Sequence, residues 1–184
     1  MSDMHLNTAE LERGIDHILA SPSDGGELKL IVRRPDIDGR ETPETARLDT
    51  EQGLVGDNWL VRGSRRTPDG AADPEMQLNI MNTRVINTVA QSEDRWALAG
   101  DQLFVDLDLS PENLPPGTQL ALGDAVIEVT EPPHAGCKKF AARFGTDAVL
   151  FVNAGRGKTL NFRGICAKVV TSGDIRVGDV ARKR

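Results

Sequence analysis

The chain has 184 residues, a formal net charge of −6, 4% aromatic residues with no tyrosine, and two cysteines. That length suits one well-buried core and is short for two, and the acidic balance with few stacking rings argues against nucleic acid as the principal partner. No apolar run of about 18 residues occurs, so no membrane span is expected, and two cysteines are too few for a disulfide scaffold.

Met1 to Leu11 carries acids and lacks the charged start and apolar middle of a signal peptide, so the expected location is cytoplasmic. Residues 7 to 20 read as one amphipathic helix, with Asn7 and Glu10 as a capping box and Leu11, Ile15, Ile18 and Leu19 on one face. Leu28 to Val32 alternates as a strand, closed by Arg33-Arg34-Pro35. Arg40 to Thr50 is polar, carries Pro43 and reads as a loop leading into a second strand. Gly53 and Gly56 follow at points where the backbone is expected to need positive φ. Arg62 to Glu75 reads as a long exposed loop and Met76 to Met81 as a strand. Asn82 or Thr83 then caps a helix with Val85, Ile86, Val89 and Ala90 on one face.

From Asp101 the pattern turns to strands. Leu103, Val105, Leu107 and Leu109 alternate with Phe104, Asp106 and Asp108, which predicts a strand with one buried face and both carboxylates on the other. Such a pair suits either acid–base work or plain solvation, and solvation is the simpler reading. Asn113 to Gly117 is a turn, Leu120 to Leu122 a strand, and Ala125, Ile127 and Val129 define another strand. That strand runs into Pro132-Pro133-His134-Ala135-Gly136-Cys137-Lys138-Lys139-Phe140. A helix starts there, with Phe140 and Phe144 on one face and Gly145 as its stop, and Thr146-Asp147 caps a second helix through Val152. A strand from Ile165 to Val170, a turn at Ser172 to Asp174 and a return strand ending at Val180 close the pattern, with Ala181 to Arg184 as a solvated tail. Many short strands with Gly and Pro turns and a few short helices indicate a β-barrel or sandwich core.

Cys137 is the chemically loaded residue. A helix start and two adjacent lysines stabilise a thiolate, the form that acts as nucleophile and metal ligand. His134, three residues earlier, is placed to deprotonate the thiol, to bind substrate or to be a plain loop residue. A shared zinc site has little support, since Cys166, His5 and His17 show no paired ligand spacing. Cys166 lies within an apolar strand and reads as packing. Gly155-Arg-Gly-Lys-Thr159 imitates the end of a phosphate-binding loop, but the first glycine is missing and a helix precedes it. Arg156 and Lys158 remain as anion attractors, and Arg163 as a guanidinium clamp or a surface ion pair.

The ordered set Gly53-Leu-Val-Gly-Asp57, Gly100-Asp-Gln-Leu-Phe104, Asp108 to Leu114, Gly117, Leu122 to Val129, Pro133 to Phe140, Arg163-Gly164 and Gly173 to Asp179 resembles the MOSC domain. That domain is named after the C-terminal part of molybdenum cofactor sulfurases. The resemblance covers roughly residues 50 to 182. It implies a mainly β (α+β) fold with short helices, a MOSC-like β-barrel over residues 50–184 with residues 1–49 packed on it as a helix-and-strand elaboration. It also implies a molybdenum–pterin cofactor or a persulfide, with Cys137 as metal ligand or sulfur carrier and His134 beside it. Asn113 and Arg163 are implied as pocket residues, and Lys138 and Lys158 as cofactor contacts.

The implied activity is reduction of N-hydroxylated compounds or sulfur transfer, acting on a small-molecule substrate or cofactor. The chain lacks room for a pyridoxal-phosphate domain, and two cysteines cannot hold a four-cysteine iron–sulfur cluster, so neither group is expected. Electrons or sulfur would come from a separate donor protein, with neither nucleic acid nor membrane as partner. The alternative is a non-catalytic barrel binding a small anion or a protein, with Cys137 incidental.

Overall fold

The computed structural model describes residues 5–184. Seven strands close into a barrel in the order β1 (Gly26–Ile31), β10 (Val180–Lys183), β6 (Gln119–Leu122), β7 (Ala125–Pro133), β8 (Ile165–Thr171), β4 (Leu78–Asn82) and β5 (Leu103–Val105). β4 and β5 pair in parallel and the other neighbours antiparallel. A smaller sheet, in the order β3 (Gly53–Leu54), β2 (Thr45–Asp49) and β9 (Gly173–Arg176), adds Leu48, Leu54 and Ile175 to the barrel core.

Alternation along the strands separates two apolar layers. Leu78, Ile80, Leu103 and Val105 belong to the barrel core, while their chain neighbours Met81 and Phe104 belong to a second layer with the helices. Each large side chain buried this completely contributes about 1.5–3 kcal/mol. The second layer lies under α1 (Thr8–Glu12), α2 (Ile15–Leu19), α4 (Thr83–Ala90), α5 (Lys138–Phe144) and α6 (Thr146–Asn153). Two short helices, α3 (Trp59–Arg62) and α7 (Gly155–Thr159), complete the set.

Most local expectations hold. The capping box joins Asn7 N–H to Glu10 Oε2 at 2.8 Å and Glu10 N–H to Asn7 Oδ1 at 3.0 Å. Asn82 caps α4, whose Val85, Ile86, Val89 and Ala90 are all buried. The Phe140 and Phe144 rings pack tilted, with centroids 4.9 Å apart, and Gly53 and Gly56 have φ of 69° and 89°.

Four expectations are corrected. The helix over 7–20 is two helices, broken at Arg13–Gly14, where α2 approaches α4 so closely that a Cβ on Gly14 would lie 2.6 Å from Thr88 Cγ2. The polar stretch 40–50 contains β2, whose backbone pairs with β3 and β9 while only Leu48 is buried. The strand over 103–109 stops at Val105. Phe104 is buried against Trp96, Asp106 is held by Arg84 at 2.7 Å, and Asp108 accepts from Ser110 N–H at 2.9 Å. Both carboxylates are thus committed to structural contacts.

The fourth correction concerns the late residues. Gly173 and Asp174, expected in a turn, open β9, and Ala181 to Lys183 belong to β10, paired with β1 and β6, rather than to a solvated tail. β1 is likewise a barrel strand, so the barrel draws on residues before 50.

Candidate functional site

The segment from His134 to Cys137 leaves the end of β7 and leads into α5. His134 and Cys137 both line a cleft of about 290 Å³. Arg34, Arg40, Arg62, Lys139, Arg143 and Arg163 line it as well, against the acids Asp36 and Asp38.

The floor of the cleft is organised by Asp101, which is completely buried. Its Oδ1 lies 2.7 Å from His134 Nε2, and its Oδ2 accepts from Arg163 Nη1 at 2.7 Å. Arg163 Nη2 donates to Ala99 O at 3.0 Å, and its guanidinium lies 4.8 Å from the Phe140 ring centroid. Burial opposes ionisation of Asp101, but the charge of Arg163 and the hydrogen bonds from His134 and Arg163 outweigh it and hold the carboxyl below the usual range. Burial, then the charge of Arg163, lowers the His134 pKa despite Asp101. His134 is therefore neutral near pH 7. In that state its Nε2–H donates to Asp101, and Nδ1 accepts from Asn79 Nδ2 at 3.3 Å. Both ring nitrogens are occupied, so the ring is spoken for as an anchor rather than free as a base for the thiol.

Asn79 carries the network on, with its Nδ2 3.6 Å from Cys166 Sγ. Burial, and secondly the Asp101 charge, push the Cys166 thiol up to about 12. Gly164, beside Arg163, has φ 115°, and a Cβ there would lie 2.2 Å from Ile80 O and 3.2 Å from His134 Cδ2. Only glycine lets β8 start this close to β4 and to the imidazole.

A second buried pair flanks the first. Arg34 binds Asp57 in a fork, Nε to Oδ1 at 2.9 Å and Nη2 to Oδ2 at 2.7 Å, and Nη1 donates to Gly100 O at 2.9 Å. Burial raises the Asp57 pKa, but the Arg34 contacts overcome it and the carboxyl sits below its usual range. Gln102, fully buried, links the two pairs: its Oε1 accepts from Asn79 N–H at 2.7 Å and its Nε2 is 3.4 Å from Asp57 Oδ2.

The mouth differs. Cys137 is exposed, and its carbonyl, not its sulfur, caps α5 by accepting from Ala141 N–H at 3.0 Å. Lys139 and Arg143 share Asp38 at 3.0 Å each. Arg40 donates to Ala97 O and Gly39 O and has no carboxylate partner among the described residues. Burial, then the charges of Arg143 and Arg34, lowers its pKa, and burial, then Arg34, does the same for Arg62. Crowded cations of this kind are relieved by an anion. Two buried polar atoms on cleft residues lack partners among the described residues, Asn58 Oδ1 and Arg163 Nε.

The structure thus gathers Cys137, His134 and Arg163. Asn113 lies elsewhere, donating to Ser23 O and Asp108 O and accepting from Lys183. Lys138 and Lys158 are exposed and do not line the cleft, and Lys158 belongs to α7, which follows a helix as expected. Asp101, Arg34, Arg40, Arg62 and Asn79 were not singled out as site residues from sequence, because their partners are remote in the chain. Among the described residues no three His, Cys, Asp or Glu side chains gather to hold a metal, and no helix is long and apolar enough to cross a membrane.

The fold has solved counterparts. YiiM from Escherichia coli superposes with a TM-score of 0.55 at 20% identity, covering 86% of this chain and 69% of that one. The YuaD protein from Bacillus subtilis gives 0.56 at 16%, covering 86% and 97%, and YiiM from Geobacillus stearothermophilus 0.54 at 12%, covering 88% and 73%. No curated protein sequence matches the chain significantly. The model of the MOSC domain matches residues 67–182, well over half of the sequence and including Asp101, His134, Cys137 and Arg163, and the chain belongs to the MOSC domain family.

Proposed function

We propose that this cleft holds a molybdenum–pterin cofactor, with Cys137 as the one protein thiolate to the metal. The observation that carries this reading is an exposed thiol at the mouth of a cleft lined by six Arg and Lys side chains. The donor set fits such a group. No cluster of His, Cys, Asp or Glu is present among the described residues to hold a bare ion, whereas a metal that arrives with sulfur ligands of its own needs only one soft thiolate. Arg40 and Arg62, without carboxylate partners among the described residues, suit a phosphate, and Asn58 Oδ1 and Arg163 Nε are polar atoms awaiting partners.

When bound, that group supplies two-electron oxygen-transfer chemistry, with electrons from a separate donor protein. The protein's own residues bind and orient. Arg40, Arg62 and Arg143 attract the anionic part, and Arg34 and Arg163, locked by Asp57 and Asp101, hold the floor rigid. His134, neutral and anchored at both nitrogens, fixes the loop before the thiol. N-hydroxylated compounds are the substrate class this reading favours.

A second reading, a persulfide carried on Cys137 for transfer to another protein, is supported by the exposure of Cys137, Lys138 and Lys139, which leaves the sulfur open to a partner. The deciding experiment purifies the protein from a molybdenum-replete host and measures metal content and pterin fluorescence beside Cys137→Ala. Stoichiometric molybdenum lost in the variant supports the cofactor; no metal but a labelled persulfide on Cys137 supports the carrier. Neither signal, in both preparations, sinks both readings and leaves an anion-binding barrel.

A further inference from the structure

Two side chains hold the backbone that presents Cys137, and one of them stands outside the charged network. His134 is anchored through its ring. Gly136, immediately before the thiol, is held by Asn153, the last residue of α6. Gly136 N–H donates to Asn153 Oδ1 at 2.8 Å, and Asn153 Nδ2 donates to Gly136 O at 2.9 Å. One planar amide therefore takes both backbone groups of a single residue, which fixes position and orientation together.

The support is rigid on the helix side and tight on the loop side. Val152 and Ala148 of α6 and Phe140 and Phe144 of α5 are all buried in the same apolar layer. A Cβ on Gly136 would lie 3.3 Å from Asn153 Nδ2 and 3.4 Å from Val152 Cγ2, so the loop has little slack there. Glycine is the residue with the widest backbone freedom, and without an external clamp it would act as a swivel next to the thiol.

We propose that Asn153 is a positioning residue: by clamping both backbone groups of Gly136 it keeps the Cys137 sulfur facing the cationic cleft. The proposal rests on reading Cys137 as the working thiol. A reactive group is useful only when its supporting residues hold it in the productive geometry, and here the support comes from a different helix.

The test uses Asn153→Ala in the full chain, with Asn153→Ser as the second variant should alanine impair folding; native fold is checked by Tm and by Cys166 remaining unlabelled. Two readouts are taken: amide exchange at Gly136, and the ratio of Cys137 alkylation rates with anionic iodoacetate and neutral iodoacetamide, referred to a cysteine peptide. In the wild type the cations should raise that ratio above the peptide's. Loss of the clamp should speed Gly136 exchange about 10-fold or more, the net worth of one or two hydrogen bonds, and return the ratio toward the peptide's.

Faster exchange with an unchanged ratio would make Asn153 a structural brace only and overturn the proposal. So would slow exchange retained in both variants, or a wild-type ratio no higher than the peptide's. Molybdenum and persulfide content of the wild type report separately on the functional reading, so either can fail alone.

Discussion

The floor and the mouth of the cleft carry similar residues under opposite conditions. On the floor, Asp101, Arg163 and Cys166 are buried and His134 and Asn79 are only partly exposed, and the carboxylate has a partner on each oxygen. At the mouth, Cys137 and Lys139 are open to solvent, and the Lys139–Asp38 pair is 60% exposed on both sides. The same Asp–cation contact therefore has different worth in the two places. On the floor it fixes geometry because loss of either member strands a buried charge, whereas at the mouth water and salt replace it easily.

The largest effect expected from that difference is on stability. Asp101→Ala leaves the Arg163 charge buried without a counterion, and should cost about 3–5 kcal/mol, or roughly 6–20 °C of Tm for a chain of this size. Urea unfolding measures it, and the double variant Asp101→Leu with Arg163→Met should lose less than Asp101→Ala alone. Equal losses would mean that the pair is not what the floor depends on.

Next comes the contrast between thiols. A sulfur that is 0% exposed with its pKa pushed up to about 12 offers almost no thiolate near neutrality, whereas Cys137 is exposed. Native-state alkylation at pH 7.5 followed by peptide mass mapping should favour Cys137 by at least about 100-fold, and comparable rates would contradict the burial of Cys166.

The pH dependence is smaller. His134 has its pKa lowered in the folded state, so below the unfolded value of about 6.5 the unfolded chain binds the proton first. Stability should be full above that pH, fall as acidification proceeds from there to the lowered folded value, and fall again below 3.8, the ordinary value beneath which Asp101 is held. In His134→Asn the first decline should vanish while the second remains, as read by unfolding at pH 7.5, 6 and 5 for the first and at about pH 3 for the second. A wild-type curve flat between pH 7 and 5 would remove the imidazole from the buried network. At the small end, Lys139→Ala should leave Tm unchanged within error, because its pair is exposed. A drop comparable to that of Asp101→Ala would erase the distinction between floor and mouth.

What was legible in the sequence was whatever repeats within a few residues. The capping box at Asn7, the apolar face of α4, the Phe140–Phe144 pair and the alternation of β7 all rest on contacts or periodicities of that range, and all are present. The candidate site was legible at Cys137 because a thiol, an imidazole and lysines crowd one loop, and His134 and Cys137 do line one cleft. Its floor was not. Asp101 meets partners 33 and 62 residues away, and Arg34 meets Asp57 across 23 residues. No local pattern separates such a carboxylate from a solvated one.

Asn113 illustrates the reverse. Its place in the family-like set suggested a pocket, but its amide is consumed by the carbonyls of Ser23 and Asp108. β10 was hidden for a third reason. Only Ala181 in it faces the core, and Arg182 and Lys183 give it the composition of a tail.

That last strand also bears on how the chain acquires its structure. Ring closure joins Gly26 to Ala181, so the seam of the barrel is made by contacts from near the two extremes of the sequence. A nascent chain emerging from the ribosome can form α4, the β6–β7 hairpin and α5 early, yet β1 must wait with an open edge until Val180–Lys183 appear. Contacts of such long sequence separation are slow to form, and an unpaired edge invites other chains to supply the missing strand. Removing β10 would therefore be expected to shift the protein from slow folding toward aggregation during synthesis, even though none of its four residues lines the cleft.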